Sequence, residues 1–188
     1  MFIDAVLPKN NEKEFIDMAK KLKIDSLIFI YPFINQNDIE EKRKKLIDFK
    51  DIKVEIGVLV DEKLVMKLQN TNDYIFSKTP SLSLIENKKS YIFYDFELQD
   101  KPDFLHHRNS GLNQVIANEM KDKGKIFAFS FSTYLNSTNK GLILGRMKQN
   151  AKITKKYKIN TEVLSFAKKP YEMRSKHEID AFKKMIGL

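Results

Sequence analysis

Apolar and polar positions alternate along this chain at two periods, and the switch between them recurs about every 20 residues. Residues 2–7 (Phe-Ile-Asp-Ala-Val-Leu) form a short strand-like run stopped by Pro8. Asn11 then stands at a cap position ahead of Phe15, Met18, Ala19 and Leu22, which share one helical face. Residues 24–31 repeat the strand pattern up to Pro32. Asn37 opens a second helical pattern in which Ile39, Leu46 and Ile47 point inward and Glu40, Glu41, Lys42, Arg43, Lys44 and Lys45 form a solvated face. Residues 53–60 make a third strand, followed by a short helical pattern carrying Leu64, Val65 and Leu68. Residues 73–77 and 91–95 give two more brief strands.

The second half continues the rhythm. Residues 103–107 read as a sixth strand, which feeds a helix whose stripe is Leu112, Val115, Ile116 and Met120 and whose end is marked by Gly124. Residues 125–132 are a seventh strand with Phe127, Phe129 and Phe131 on one face, as a core-facing strand requires. A polar loop over 133–139 leads to a helix over about 140–157. Ile143, Met147, Ala151 and Thr154 lie on one side of it, Lys148, Lys152, Lys155 and Lys156 on the other, and Arg146 at the flank. Residues 160–166 are an eighth strand. Ser175 and Glu178 then match a capping box at the start of a last helix with Ile179, Phe182, Met185 and Ile186 inward and Gly187 at its end. Alternating strands and helices without hairpin dipeptides predict a parallel α/β fold. The expected form is a compact TIM-like (β/α) barrel with mostly parallel strands and some helices short or missing, in a single domain over 1–188. An open doubly wound sheet is the alternative, because 188 residues is short for a closed barrel.

Composition narrows the function classes. The chain has no cysteine, which removes disulfide frameworks, thiolate catalysis and cysteine-based zinc sites. No apolar run approaches the length of a membrane-spanning helix and the start lacks a basic leader, so a cytoplasmic protein is expected. The formal net charge of +9 is unevenly placed: residues 1–100 hold 16 Lys or Arg against 18 Asp or Glu, and residues 101–188 hold 18 against 7. A polyanionic partner is expected at the second half, and nucleic acid fits better than a membrane because no strongly apolar helix face accompanies the charge.

The candidate chemistry centres on residues 108–118, Arg-Asn-Ser-Gly-Leu-Asn-Gln-Val-Ile-Ala-Asn. Asn109 or Ser110 can cap the helix that follows, Gly111 permits close approach to the backbone, and Arg108 adds a cation at the positive helix end, so the stretch outlines an anion site. In a barrel, the turns that follow the strands share one end, which would bring Arg108, the 133–140 loop and Lys168 near one another.

These residues also carry a family resemblance. Arg-Asn-Ser-Gly-Leu-Asn-Gln-Val at 108–115, Gly145-Arg146, Ser165-Phe166-Ala167-Lys168 and Tyr171-Glu172-Met173-Arg174-Ser175 resemble the ribonuclease P protein component three family, the barrel-shaped subunit of the archaeal and eukaryotic enzymes. The likeness is continuous over roughly 103–188; earlier it is limited to the strand-helix rhythm and Phe2-Ile3-Asp4. It implies an RNA-binding accessory subunit that supports RNA-catalysed removal of the 5′ leader of precursor tRNA. Its implied partners are the RNase P RNA, precursor tRNA and a small ferredoxin-like protein subunit. Catalysis and its magnesium ions would then belong to the RNA, with no cofactor bound by the protein. The RNA-contact candidates are Arg108, Asn109, Ser110, Arg146, Lys148, Lys152, Lys168 and Arg174.

Two other readings stay open. A metal-dependent barrel phosphoesterase needs histidines and carboxylates converging on one ion, beginning with His-x-His on the first strand, where this chain has Asp4 and no histidine; adjacent His106 and His107 would point to opposite faces of a strand. A barrel binding a phosphorylated metabolite at Arg108 would leave the lysine ridge at 148–156 without a role.

Overall fold

The structure, a computed structural model, describes residues 2–47, 49, 51–64, 73–87, 89 and 91–188. Seven strands form one parallel sheet in chain order: β1 (Ile3–Val6), β2 (Ser26–Pro32), β3 (Lys53–Leu59), β4 (Tyr74–Ser77), β5 (Tyr91–Tyr94), β6 (Ile126–Ser130) and β7 (Asn160–Leu164). Helices α1 (Glu12–Leu22), α2 (Gln36–Leu46), α3 (Leu82–Glu86), α4 (Gln114–Asp122), α5 (Phe131–Asn136), α6 (Lys140–Tyr157) and α7 (Lys176–Ile186) surround the sheet. The sheet curls into a nearly closed TIM-like barrel rather than an open doubly wound sheet. Beyond the end of β7, Ala167 bridges to Val6, and the Leu7 N–H donates to the Ala167 carbonyl at 2.8 Å.

Two cores follow from the two-residue period. One face of the strands fills the barrel with Ala5, Ile28, Ile30, Phe76, Ile92, Tyr94, Ala128, Leu164 and Phe166. Tyr94 and Phe166 stack at 4.1 Å between centroids, and Phe76 meets both edge-on. Gly57 has no side chain because Phe76 occupies its space: a Cβ there would lie 2.6 Å from the ring. The other strand face packs against the helices through Leu27, Phe29, Phe93, Phe127 and Phe129. Asp4 is wholly buried in β1 and accepts from the Ser165 N–H and hydroxyl, both at 2.6 Å, which pins the seam of the barrel. Burial pushes the Asp4 carboxyl up to about 6 despite these hydrogen bonds.

Several local expectations are corrected. Residues 103–107 are loop, because β5 pairs directly with β6 and leaves them no neighbour, so the described residues form seven strands rather than eight. The run at 125–132 ends as strand at Ser130, whose hydroxyl accepts from the Thr133 N–H at 3.2 Å and starts α5. Phe131 therefore leaves the strand face and packs edge-on against Phe182, and the expected polar loop is mostly helix. Asn35, rather than Asn37, caps α2, accepting from the Asp38 N–H. Ile47, Val115 and Met185 face outward at 66%, 59% and 39% exposure. Val65 and Leu68 of the short helical pattern lie outside the described residues.

Candidate nucleic-acid interface

The turns after β5, β6 and β7 carry the candidate residues, and helix α6 organises the longest of them. Ile143, Met147, Ala151 and Thr154 bury one side of α6, and Lys148, Lys152, Lys155 and Lys156 are exposed on the other, as the pattern required. Arg146 departs from expectation. It is 2% exposed, and its guanidinium donates to Asp103 Oδ1 at 2.8 Å, to the Glu97 and Gln99 carbonyls at 2.9 and 2.8 Å and to the Lys101 carbonyl at 2.7 Å. A planar fork suits such a set of acceptors, so Arg146 holds the 97–103 loop from inside instead of offering charge at the surface.

The neighbouring residues complete the strap. Gln149 exchanges hydrogen bonds with the backbone of Arg108, receiving its N–H at 2.8 Å and donating to its carbonyl at 2.7 Å. Its amide also reaches the Ser110 hydroxyl, while Asn150 donates to Glu97 Oε1 and to the Ser110 carbonyl. Ser110 is thus buried and structural, and Asn113, not Asn109 or Ser110, caps α4 by accepting from the Ile116 N–H. Gly111 has φ of 79°, and its open side is filled by the Phe96 backbone, so the close approach it permits is to the chain itself.

Asp103 gathers the loop. It accepts from Arg146, from Arg108 Nη1 at 3.0 Å and from the Asn109 N–H at 2.9 Å. Burial pushes its carboxyl up, but these donors outweigh that and hold it below the ordinary value. Arg108 remains 45% exposed, with its guanidinium lying over Gly145 of α6, where any Cβ would collide with it. One step behind, Glu97 is fully buried, and desolvation pushes it up to about 7.

Lys168 and the α5 region line one cavity of about 320 Å³ with Leu98, Ser132, Thr133, Asn136, Ser137 and Thr138. Buried Glu172 fixes that wall by accepting from the Lys168 N–H and from Asn136. The Lys168 side chain is exposed. Arg108 borders a separate pocket with residues 103–107 and Gln149, so Arg108 and Lys168, expected in one site, line two pockets that share no residue. Arg174 is partly buried: it donates to the Tyr171 and Met173 carbonyls, lies over the Phe131 ring and is 3.7 Å from Glu178.

Gln149, Asn150, Asp103 and Glu97 join the site only through the fold. Asn150 left a signal, since a polar residue on the apolar stripe of α6 must find a buried partner. For a phosphoesterase metal centre the donors do not fit. Both Asp4 oxygens are taken up by Ser165, and no three His, Cys, Asp or Glu side chains converge among the described residues. His106 and His107 are exposed on a loop, with His107 stacked on Phe104. No helix among the described residues is long and apolar enough to cross a membrane.

Neither a protein-family model nor a curated protein matches the sequence. Among solved structures, a chain of an archaeal ribonuclease P determined with mature tRNA is similar in fold, with TM-score 0.79 and 21% identity, covering 97% of this chain and 82% of that one. Histidinol phosphate phosphatase from Lactococcus lactis, determined with zinc, L-histidinol and phosphate, is also similar, with TM-score 0.64 and 11% identity over 98% of this chain and 92% of that one.

Proposed function

We propose that this chain is the barrel-shaped protein subunit of a ribonuclease P, an RNA-binding accessory protein that supports RNA-catalysed removal of the 5′ leader of precursor tRNA. The observation that carries the reading is the likeness over 97% of the chain to a component of an archaeal ribonuclease P bound to mature tRNA. The charge distribution supports it, because the excess of Lys and Arg in residues 101–188 includes the turns around α6 and after β7. In this reading Arg108, Lys148, Lys152 and Lys168 meet phosphate oxygens, Asn109 and Arg174 stand at the margin, and Arg146 and Ser110 shape the loop that presents Arg108. The RNase P RNA, precursor tRNA and a small ferredoxin-like protein are the partners, and magnesium serves the RNA. The likeness to a zinc-containing phosphatase favours a second reading, hydrolysis by the barrel itself, but the absence of a converging donor set among the described residues weighs against it.

A salt-titrated binding assay against the cognate RNase P RNA, precursor tRNA and an unrelated RNA tests the reading, together with magnesium-dependent cleavage with and without the protein. Preferential binding with a steep negative salt slope, and cleavage that requires the RNA, are the expected results. Arg108→Ala and Lys152→Ala should each lower the slope by about one. Absence of RNA binding, or hydrolysis of a phosphate monoester by the protein alone, would overturn it.

A further inference from the structure

The loop strapped by Arg146 ends in an exposed aromatic surface that the phosphate contacts do not use. Phe104 is 61% exposed and Leu105 92% exposed. The Phe104 ring stacks on His107, with centroids 4.5 Å apart and planes 17° from parallel. The turn between them is closed by the Phe104 N–H donating to the His107 carbonyl at 2.9 Å. Chains normally bury a phenylalanine, yet here four donors from one guanidinium and an Arg108–Asp103 pair hold the tip away from the core. The ordering entropy of a binding surface is therefore largely met before any ligand arrives.

We propose that Phe104 and His107 form a stacking platform for an unpaired nucleobase of RNA. This inference rests on the RNA-binding reading above and adds to it the form of RNA recognised at this point. Charge decides for a nucleic acid over an apolar protein partner. Arg108 follows the platform directly and is half exposed, and exposed Lys148 and Lys152 lie three residues beyond Gly145 and Gln149, the two α6 positions against which Arg108 rests. A base on the ring face would have its flanking phosphates beside these cations. That pairing of an aromatic face with a cationic border suits single strands, whereas a duplex hides its base faces in its own stack.

The test compares the full-length protein with Phe104→Ala, Phe104→Leu and Phe104→Trp variants, titrating a short oligoadenylate that contains a fluorescent adenine analogue, and the same strand in duplex form. Phe104 is exposed, so the variants are expected to fold, and unchanged thermal unfolding checks this. Phe104→Ala and Phe104→Leu should each weaken single-strand binding by about tenfold and reduce quenching of the analogue, with the salt slope unchanged. Phe104→Trp should restore both, and duplex binding should not change. Leucine binding as well as phenylalanine would replace the platform with apolar docking, and equal binding by alanine would remove it. In both cases a steep salt slope in the parent protein would leave the RNA reading intact, while absence of that slope would refute the RNA reading itself.

Discussion

Gly145 shows how one missing side chain can seat an arginine without serving stability. In mid-helix a glycine costs roughly 1 kcal/mol against alanine, yet alanine here would drive its methyl into the Arg108 guanidinium, which can swing aside. Gly145→Ala should therefore keep or slightly raise the midpoint of denaturant unfolding while lowering RNA affinity several-fold; a parallel loss of both would point to damage in the strap. Glu97 makes the complementary case. Its Oε2 and Asn150 Oδ1 are both buried without a partner, although the Asn150 amide donates to Glu97 Oε1. A proton on the Glu97 carboxyl removes the buried charge. Because the folded value, about 7, lies above the ordinary 4.5, the group is neutral in both states below pH 4.5 and costs stability as pH rises through 7, by about 3 kcal/mol in all. Asp4, raised to about 6, acts in the same direction. Glu97→Gln, an amide that can both donate and accept, should remove about half of the combined slope when unfolding free energy is measured across pH 4 to 8, the rest staying with Asp4.

At the scale of the element, the 96–112 segment behaves as part of α6. Its carbonyls at 97, 99 and 101 end on Arg146, and its backbone at 108 and 110 ends on Gln149 and Asn150. Arg146→Met would leave three carbonyls and a carboxylate without that donor and should destabilise the fold by about 3 kcal/mol. Lysine should not rescue it, since a single ammonium cannot span those acceptors. Amide hydrogen exchange should accelerate across residues 98–110 in both variants, and protection unchanged there would show that the loop is held by other contacts. The helix itself was legible in the sequence, because the period of Ile143, Met147, Ala151 and Thr154 is a local property. The role of Arg146 was not, since its ligands lie 43 to 49 residues earlier.

At the scale of the molecule, the barrel depends on a seam that few residues make. Asp4 and Ser165 join β1 to the chain just after β7 across 161 residues, beside the bridge from Val6 to Ala167. Ser165→Ala removes the hydroxyl donor from a buried carboxylate and should cost about 1–3 kcal/mol in thermal or chemical unfolding, with the Asp4 carboxyl rising further. A neutral result would place the closing energy in the Tyr94, Phe76 and Phe166 cluster. Charge acts at the same scale. Lys148→Glu with Lys152→Glu alters two exposed positions and should leave stability within about 0.5 kcal/mol while abolishing most RNA binding at moderate salt.

The order of residues alone was enough for the alternation of strands and helices, the buried stripe of α6, most of that of α7, and the placing of positive charge in the second half. Each of these is written in neighbouring residues, as a period, a cap or a local count of charges. Folding settled that the described residues make seven strands, that 103–107 are loop, that Ser130 turns the chain into α5, and that Arg146 is an interior clamp. Those outcomes depend on which partner lies opposite. A strand needs an open neighbour, and β5 and β6 left none; a buried guanidinium needs converging carbonyls, and only the folded loop brings them together.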